Sequence, residues 1–149
     1  MSGIMAGPNQ DFALWTRAQA AALRARARAG TNLAIDWEHV AEEIEDLGRS
    51  ERRELASRIG TILEHLLKLI ASPAELRRGG WEATVLRERA QVADLLAESP
   101  SLRQEVPAII ARRLPLARRI VARELAAYGE VPADPPELDE ARVLGEWLP

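Results

Sequence analysis

The sequence predicts an all-α protein, a bundle of five or six helices built around one long central helix. Three observations carry that reading. Ala, Leu, Arg and Glu dominate the chain while valine and isoleucine are sparse, a choice of residues that favours helix. No stretch alternates apolar and polar side chains for long enough to make a strand. Apolar residues recur instead at helical spacing, between stops marked by proline or glycine.

Residues 1–10 read as a flexible tail and 11–149 as one helical domain. Phe12, Trp15, Gln19, Ala22, Leu23 and Ala27 share a face. With Asn9 or Asp11 as N-cap and Gly30 as stop, they predict a first helix over about 11–29. Asp36 caps a second, whose apolar stripe is Trp37, Val40, Ala41, Ile44 and Leu47. Trp37 is expected to anchor in the core, so that its loss to alanine would cost ~3 to 5 kcal/mol. Gly48 to Ser50 allows two outcomes: a stop with Ser50 capping a new helix, or one long helix through Gly48 at ~1 kcal/mol. The stretch from Ser50 to Ala71 carries Leu55, Ile59, Ile62, Leu63, Leu66, Leu67, Leu69 and Ile70, and Ser72-Pro73 ends it.

Gly79-Gly80 leads into an expected helix from Trp81 to Glu98. Ser99-Pro100 suits an N-cap followed by a first helical residue. Pro107 and Pro115 fall in the next helical pattern, Leu102 to Tyr128, and an interior proline costs ~3 kcal/mol, so a break or bend is expected near one of them. Gly129 to Pro136 reads as an irregular connection, and Glu137 to Trp147 as a short closing helix.

The chain has 149 residues and no cysteine. That length supports a core without staples, and the lack of thiols removes disulfides, cysteine nucleophiles and cysteine-bound metals. The start of the chain shows no basic region followed by an apolar one, and the longest apolar stretch, Ile59 to Ala71, is interrupted by Glu64, His65 and Lys68. It is shorter than the ~20 residues of a membrane span. A cytoplasmic protein without membrane contact is the expectation.

Charge is unevenly placed. Positions 36 to 46 hold six carboxylates (Asp36, Glu38, Glu42, Glu43, Glu45, Asp46), and the only basic-type residue among them is His39. From Arg103 to Arg123 there are six arginines against Glu105 alone. Such segregation suits matched faces within or between subunits, or two faces for different partners. Glu38, Glu43, Asp46, Arg112, Arg113, Arg118 and Arg119 are accordingly the candidate interaction residues, in a self-associating or partner-binding module. Arg112-Arg113 and Arg118-Arg119 could also grip phosphates, as in a small regulator of a nucleic-acid or toxin–antitoxin system. The acidic balance, with a net charge of −3, and the lack of a recognisable binding motif argue against nucleic acid.

His65 sits in an otherwise apolar helix. A buried histidine needs a partner, and Glu42 or Glu45 of the acidic helix is the expected one. With that pair, Glu42, Glu45 and His65 form a candidate metal site, which would make the protein a carboxylate–histidine enzyme. The Glu-x-x-His pattern of di-metal bundles is absent. No phosphate loop or nucleophile elbow occurs, so no catalytic residue or cofactor is assigned. Trp15, Trp37, Trp81 and Trp147 lie near helix ends, where rings pack on a core and the indole N–H finds an acceptor.

Asp11 with Trp15, Asp36-Trp37-Glu38, Ala41-Glu42-Glu43-Ile44-Glu45, Leu47-Gly48-Arg49-Ser50-Glu51, His65-Leu66-Leu67-Lys68, Trp81 with Thr84, Ser99-Pro100-Ser101-Leu102 and Trp147-Leu148-Pro149 together resemble a bacterial family known as domain of unknown function 29. The resemblance runs in order over about residues 11–149. It implies an all-helical fold and no established activity, cofactor or catalytic residue. The chain departs from the pattern at Pro132-Ala133-Asp134-Pro135-Pro136, where relatives tend to have a Pro-x-x-Cys-Pro-like turn.

Overall fold

The structure, a computed structural model, describes residues 6–149. Among the described residues there are five α-helices: α1 (Phe12–Ala29), α2 (Trp37–Ala71), α3 (Glu75–Glu98), α4 (Val106–Ala126) and α5 (Glu140–Leu144). A 3-10 helix, Pro100–Glu105, joins α3 to α4. No strand occurs among the described residues. The chain groups into two compact units. The first is the chain up to Glu54 with Leu95–Arg103, and the second is Leu55–Asp94 with Gln104–Pro149. Of the expected tail, residues 1–5 lie outside the described region, and the residues before α1 form a turn in which Gly7 O accepts from the amides of Gln10 and Asp11.

In the first unit, α1 matches its expected limits because both end signals are local. Asp11 accepts from the Leu14 amide at 2.9 Å, and Gly30 takes a positive φ of 81°, which glycine adopts without penalty. Asp36 caps α2 by accepting from the His39 amide at 3.1 Å. The helix then continues past Gly48 without a break, over 35 residues. The glycine serves packing instead: a Cβ at Gly48 would collide with the Thr16 hydroxyl of α1. Thr16 is itself buried, its hydroxyl bonded to Ala13 O at 2.8 Å.

The stripe of α2 behaves differently from its pattern. Ala41 is fully buried, but Val40 is 39% and Leu47 50% exposed, and Trp37 and Ile44 are only half-buried. Trp37 is therefore a boundary ring and not the core anchor its position suggests, and its buried Nε1 has no acceptor.

In the second unit, Leu55, Ile59, Ile62, Leu63 and Leu66 of α2 are all completely buried, giving the expected central core element. Removing any one from water contributes roughly 1.5 to 3 kcal/mol. The third helix starts at Glu75, not at Trp81, so Gly79 and Gly80 lie inside it. A Cβ at either would meet nothing, so the helix crosses them for its own continuity at about 1 kcal/mol each. Trp81 lies under two cations, Lys68 at 5.9 Å and Arg77 at 5.2 Å from the ring centroid. Pro107 falls in the first turn of α4, where its missing N–H costs little, and the expected break is the 3-10 to α junction just before it. Pro115 sits inside a continuous α4.

The closing helix is shorter than its pattern, five residues against an expected eleven. Asp139 stops it from starting earlier by turning its carboxylate onto the Arg142 amide at 2.9 Å. At the other end Gly145 folds against Ala141 O, where a Cβ would clash.

Candidate functional site

The acidic start of α2, with six carboxylates in positions 36–46, lies in the first unit. Glu45 holds Arg24 of α1 in an ion pair, with Glu38 at 3.8 Å from the same guanidinium. Arg49, one turn further on, pairs with Glu45 at 3.2 Å and with Asp46. The Arg24 hydrogen bond holds the Glu45 carboxyl below its ordinary range. Asp36 and His39 pair at 2.8 Å. His39 is raised by that hydrogen bond and by the charges of Asp36 and Glu42. The block thus draws counter-charges from Arg24 and Arg49, which lie outside positions 36–46. Glu42 and Glu43 stay exposed. Along the same turns run Trp37, Val40, Ile44 and Leu47, three, four and three residues apart, which is one face of a helix. An apolar ridge bordered by carboxylates is the result.

Of the other candidate interaction residues, Arg112 and Arg119 are exposed on α4, Arg113 is half-buried, and Arg118 pairs with Asp134 at 3.1 Å. The proposed metal cluster does not form. Glu45 and His65 belong to the same unbroken helix, twenty residues apart, about 30 Å of helical rise. Glu42 lies further still. His65 bonds through Nδ1 to Thr61 O at 2.8 Å, so its need for a partner is met by its own helix and not by a carboxylate. Among the described residues no group of three metal-ligating side chains converges.

Several residues that carry the family resemblance meet in a buried polar junction of the first unit. Besides capping α1, Asp11 accepts from the Ser101 amide at 2.7 Å and from its hydroxyl at 2.9 Å. Ser99 is fully buried; its hydroxyl accepts from the Ala13 amide at 2.9 Å and donates to Glu51. One carboxylate therefore satisfies orphan amides at the starts of two helices. The junction joins the start of α1, α2 and the segment after α3. Burial raises the Glu51 carboxyl above its ordinary value against the opposing Ser99 hydrogen bond, and Glu98 and Glu54 push the same way.

Arg89 carries no signal in the sequence pattern. From α3 its Nε donates to Val143 O at 2.9 Å, and one terminal nitrogen donates to Arg142 O at 2.8 Å and Trp147 O at 2.7 Å. It binds the end of α5 much as a capping cation would. Burial lowers its pKa.

The fold and these surfaces define a helical protein with an acidic, partly uncovered helix face. By sequence, the chain belongs to the family described as Domain of unknown function DUF29, whose model matches residues 9–148. It is similar to an alpha-helical protein of unknown function from Rhodospirillum rubrum, known from a crystal structure. The two are 28% identical, the match covers 95% of this chain and 90% of that one, and the TM-score is 0.76. No curated protein matches the chain. No helix among the described residues is long and apolar enough to cross a membrane.

Proposed function

We propose that the protein is an interaction or regulatory module that works in the cytoplasm by binding a cationic helical surface with the start of α2. The observation that carries this reading is the ridge itself, with Val40 and Leu47 at 39% and 50% exposure and carboxylates on both sides. Apolar side chains left out at helical spacing supply contact area, and the acidic border selects the sign of the partner. A second copy is a partner within reach. Its α4 carries Arg112, Arg119 and Arg123 in exposed positions, beside an open groove that includes Leu116 and Ile120.

The test is light scattering on the purified chain over a range of concentrations, at low and high salt. Self-association should weaken with salt, and should be lost when Val40 and Leu47 are both changed to serine while helix content is kept. A chain that stays monomeric, with a ridge that also ignores a synthetic Arg/Leu amphipathic helix, would refute the proposal. Binding to a nucleic acid through the α4 arginines would move the function to that class.

A further inference from the structure

We infer that a cleft between α2 and α4 in the second unit binds a small zwitterion, an aliphatic α-amino acid, with its ammonium on Glu64 and its carboxylate on Arg113. The cleft measures about 190 Å³, with Ser57, Thr61, Glu64 and Arg113 among its polar lining and Leu116 and Ile120 on its apolar side. That is below the ~300 to 1,000 Å³ of sites for drug-sized ligands, so it admits only a few non-hydrogen atoms. Gly60 forms part of the wall, and a Cβ there would stand 3.8 Å from the Arg113 Cδ, an ordinary contact.

The two charges are what single this cleft out. Elsewhere in the same unit, opposite charges pair directly: Arg58 with Glu88 at 3.1 Å, Lys68 with Glu124 at 2.5 Å, Arg77 with Glu130. Lys68 stands one turn after Glu64 and would be its natural partner, but its ammonium is taken by Glu124. Glu64 and Arg113 line one cleft and form neither an ion pair nor a hydrogen bond with each other. Burial pushes the Glu64 carboxyl above its ordinary value. Lys68, His65 and Arg113 oppose that shift and Glu124 adds to it.

A lone cation at Glu64 would face the positive charges of Arg113 and Lys68, and a lone anion at Arg113 would face the carboxylate of Glu64 across the same cleft. A molecule with both charges a short distance apart satisfies each group at once, and the Leu116 and Ile120 side can take a small aliphatic side chain.

The experiment is a titration of the isotope-labelled full chain, followed by amide chemical shifts, with glycine, L-alanine and L-valine. Acetate and methylammonium serve as single-charge controls. The expected result is saturable shifts at Gly60, Thr61 and Arg113 for at least one amino acid and none for either control at equal concentration. Glu64→Gln and Arg113→Gln should each weaken that binding about tenfold or more, with helix content unchanged. No saturable response to any of the three amino acids into the tens of millimolar overturns the inference on the native chain alone. So does an equal response to the controls, or a double-mutant cycle in which Glu64 and Arg113 are fully coupled without ligand, which would make them an ordinary ion pair.

Discussion

Gly48 of α2 and Thr16 of α1 occupy each other's space: a single methyl group on the glycine would overlap the threonine hydroxyl. The contact explains why a residue that disfavours helix sits inside a 35-residue one. Gly48→Ala alone gains about 1 kcal/mol of helix propensity but must displace a hydroxyl held by Ala13 O, so it should destabilise the protein by ~1 to 3 kcal/mol, as overpacking does. In a Thr16→Ala background the clash is gone, and the same change should become stabilising. Urea denaturation of the four proteins in this cycle measures the coupling. Additivity within ~0.5 kcal/mol would mean that the two sites do not interact.

This pair also marks how far the sequence could be read. Asp11 and Gly30 bound α1 because a cap and a positive-φ glycine act on their own few residues. Gly48 carries the same letter as Gly30, but its role depends on Thr16, thirty-two positions away, and no local pattern distinguishes a stop from a close approach. Gly79 and Gly80 misled for the opposite reason, since they do nothing to the helix that crosses them. The stripe from Trp37 to Leu47 was legible as a helix face, but periodicity does not say whether anything covers it. The sequence points His65 to a carboxylate because the alternative, a second hydrogen bond to the helix carbonyl of Thr61 one turn back, leaves no mark in a sequence. Arg89 was invisible because its three acceptors are backbone carbonyls.

Arg89 should govern the order of the C-terminal segment. Three hydrogen bonds from one charged donor, each worth ~1.5 to 3 kcal/mol singly but not additive, connect α3 to Arg142, Val143 and Trp147. Arg89→Ala should cost about 3 kcal/mol and raise amide exchange and proteolysis over residues 138–149 ahead of the rest of the chain. Arg89→Lys should recover little, because an ammonium cannot present the planar fork that reaches three carbonyls. Unchanged exchange in that segment would show that Leu138 and Val143, both buried, hold it alone.

Glu51 should make stability depend on pH in a stated direction. Its folded pKa is raised above the ordinary 4.5, so the folded state binds the proton more readily than the unfolded one. The resulting stabilisation is complete below the ordinary value and is lost as pH rises through the folded value. Glutamine resembles the protonated form and can still accept from Ser99. Glu51→Gln should therefore leave stability nearly unchanged at acid pH and raise it on the neutral side, with the difference opening above about pH 4.5. Thermal melts of both proteins from acid to neutral pH check this, and a difference of constant size across that range would assign the effect to packing.

Trp37 joins stability to the proposed contact surface. Its Nε1 is buried without an acceptor, an arrangement that costs ~1 to 3 kcal/mol of desolvation, while half of the ring's burial still favours the fold. Trp37→Phe removes the orphan donor and keeps most of the apolar area, so it should change stability by less than ~1 kcal/mol in either direction. Trp37→Ala removes the ring and should cost ~2 kcal/mol, below the ~3 to 5 kcal/mol of a fully buried aromatic. With Nε1 sealed from the surface, a partner on the ridge meets only the exposed part of the ring, so Trp37→Phe should leave association nearly unchanged while Trp37→Ala weakens it. Equal association by the wild type and the alanine variant in light scattering would place the ring outside the contact and leave Val40 and Leu47 as its centre.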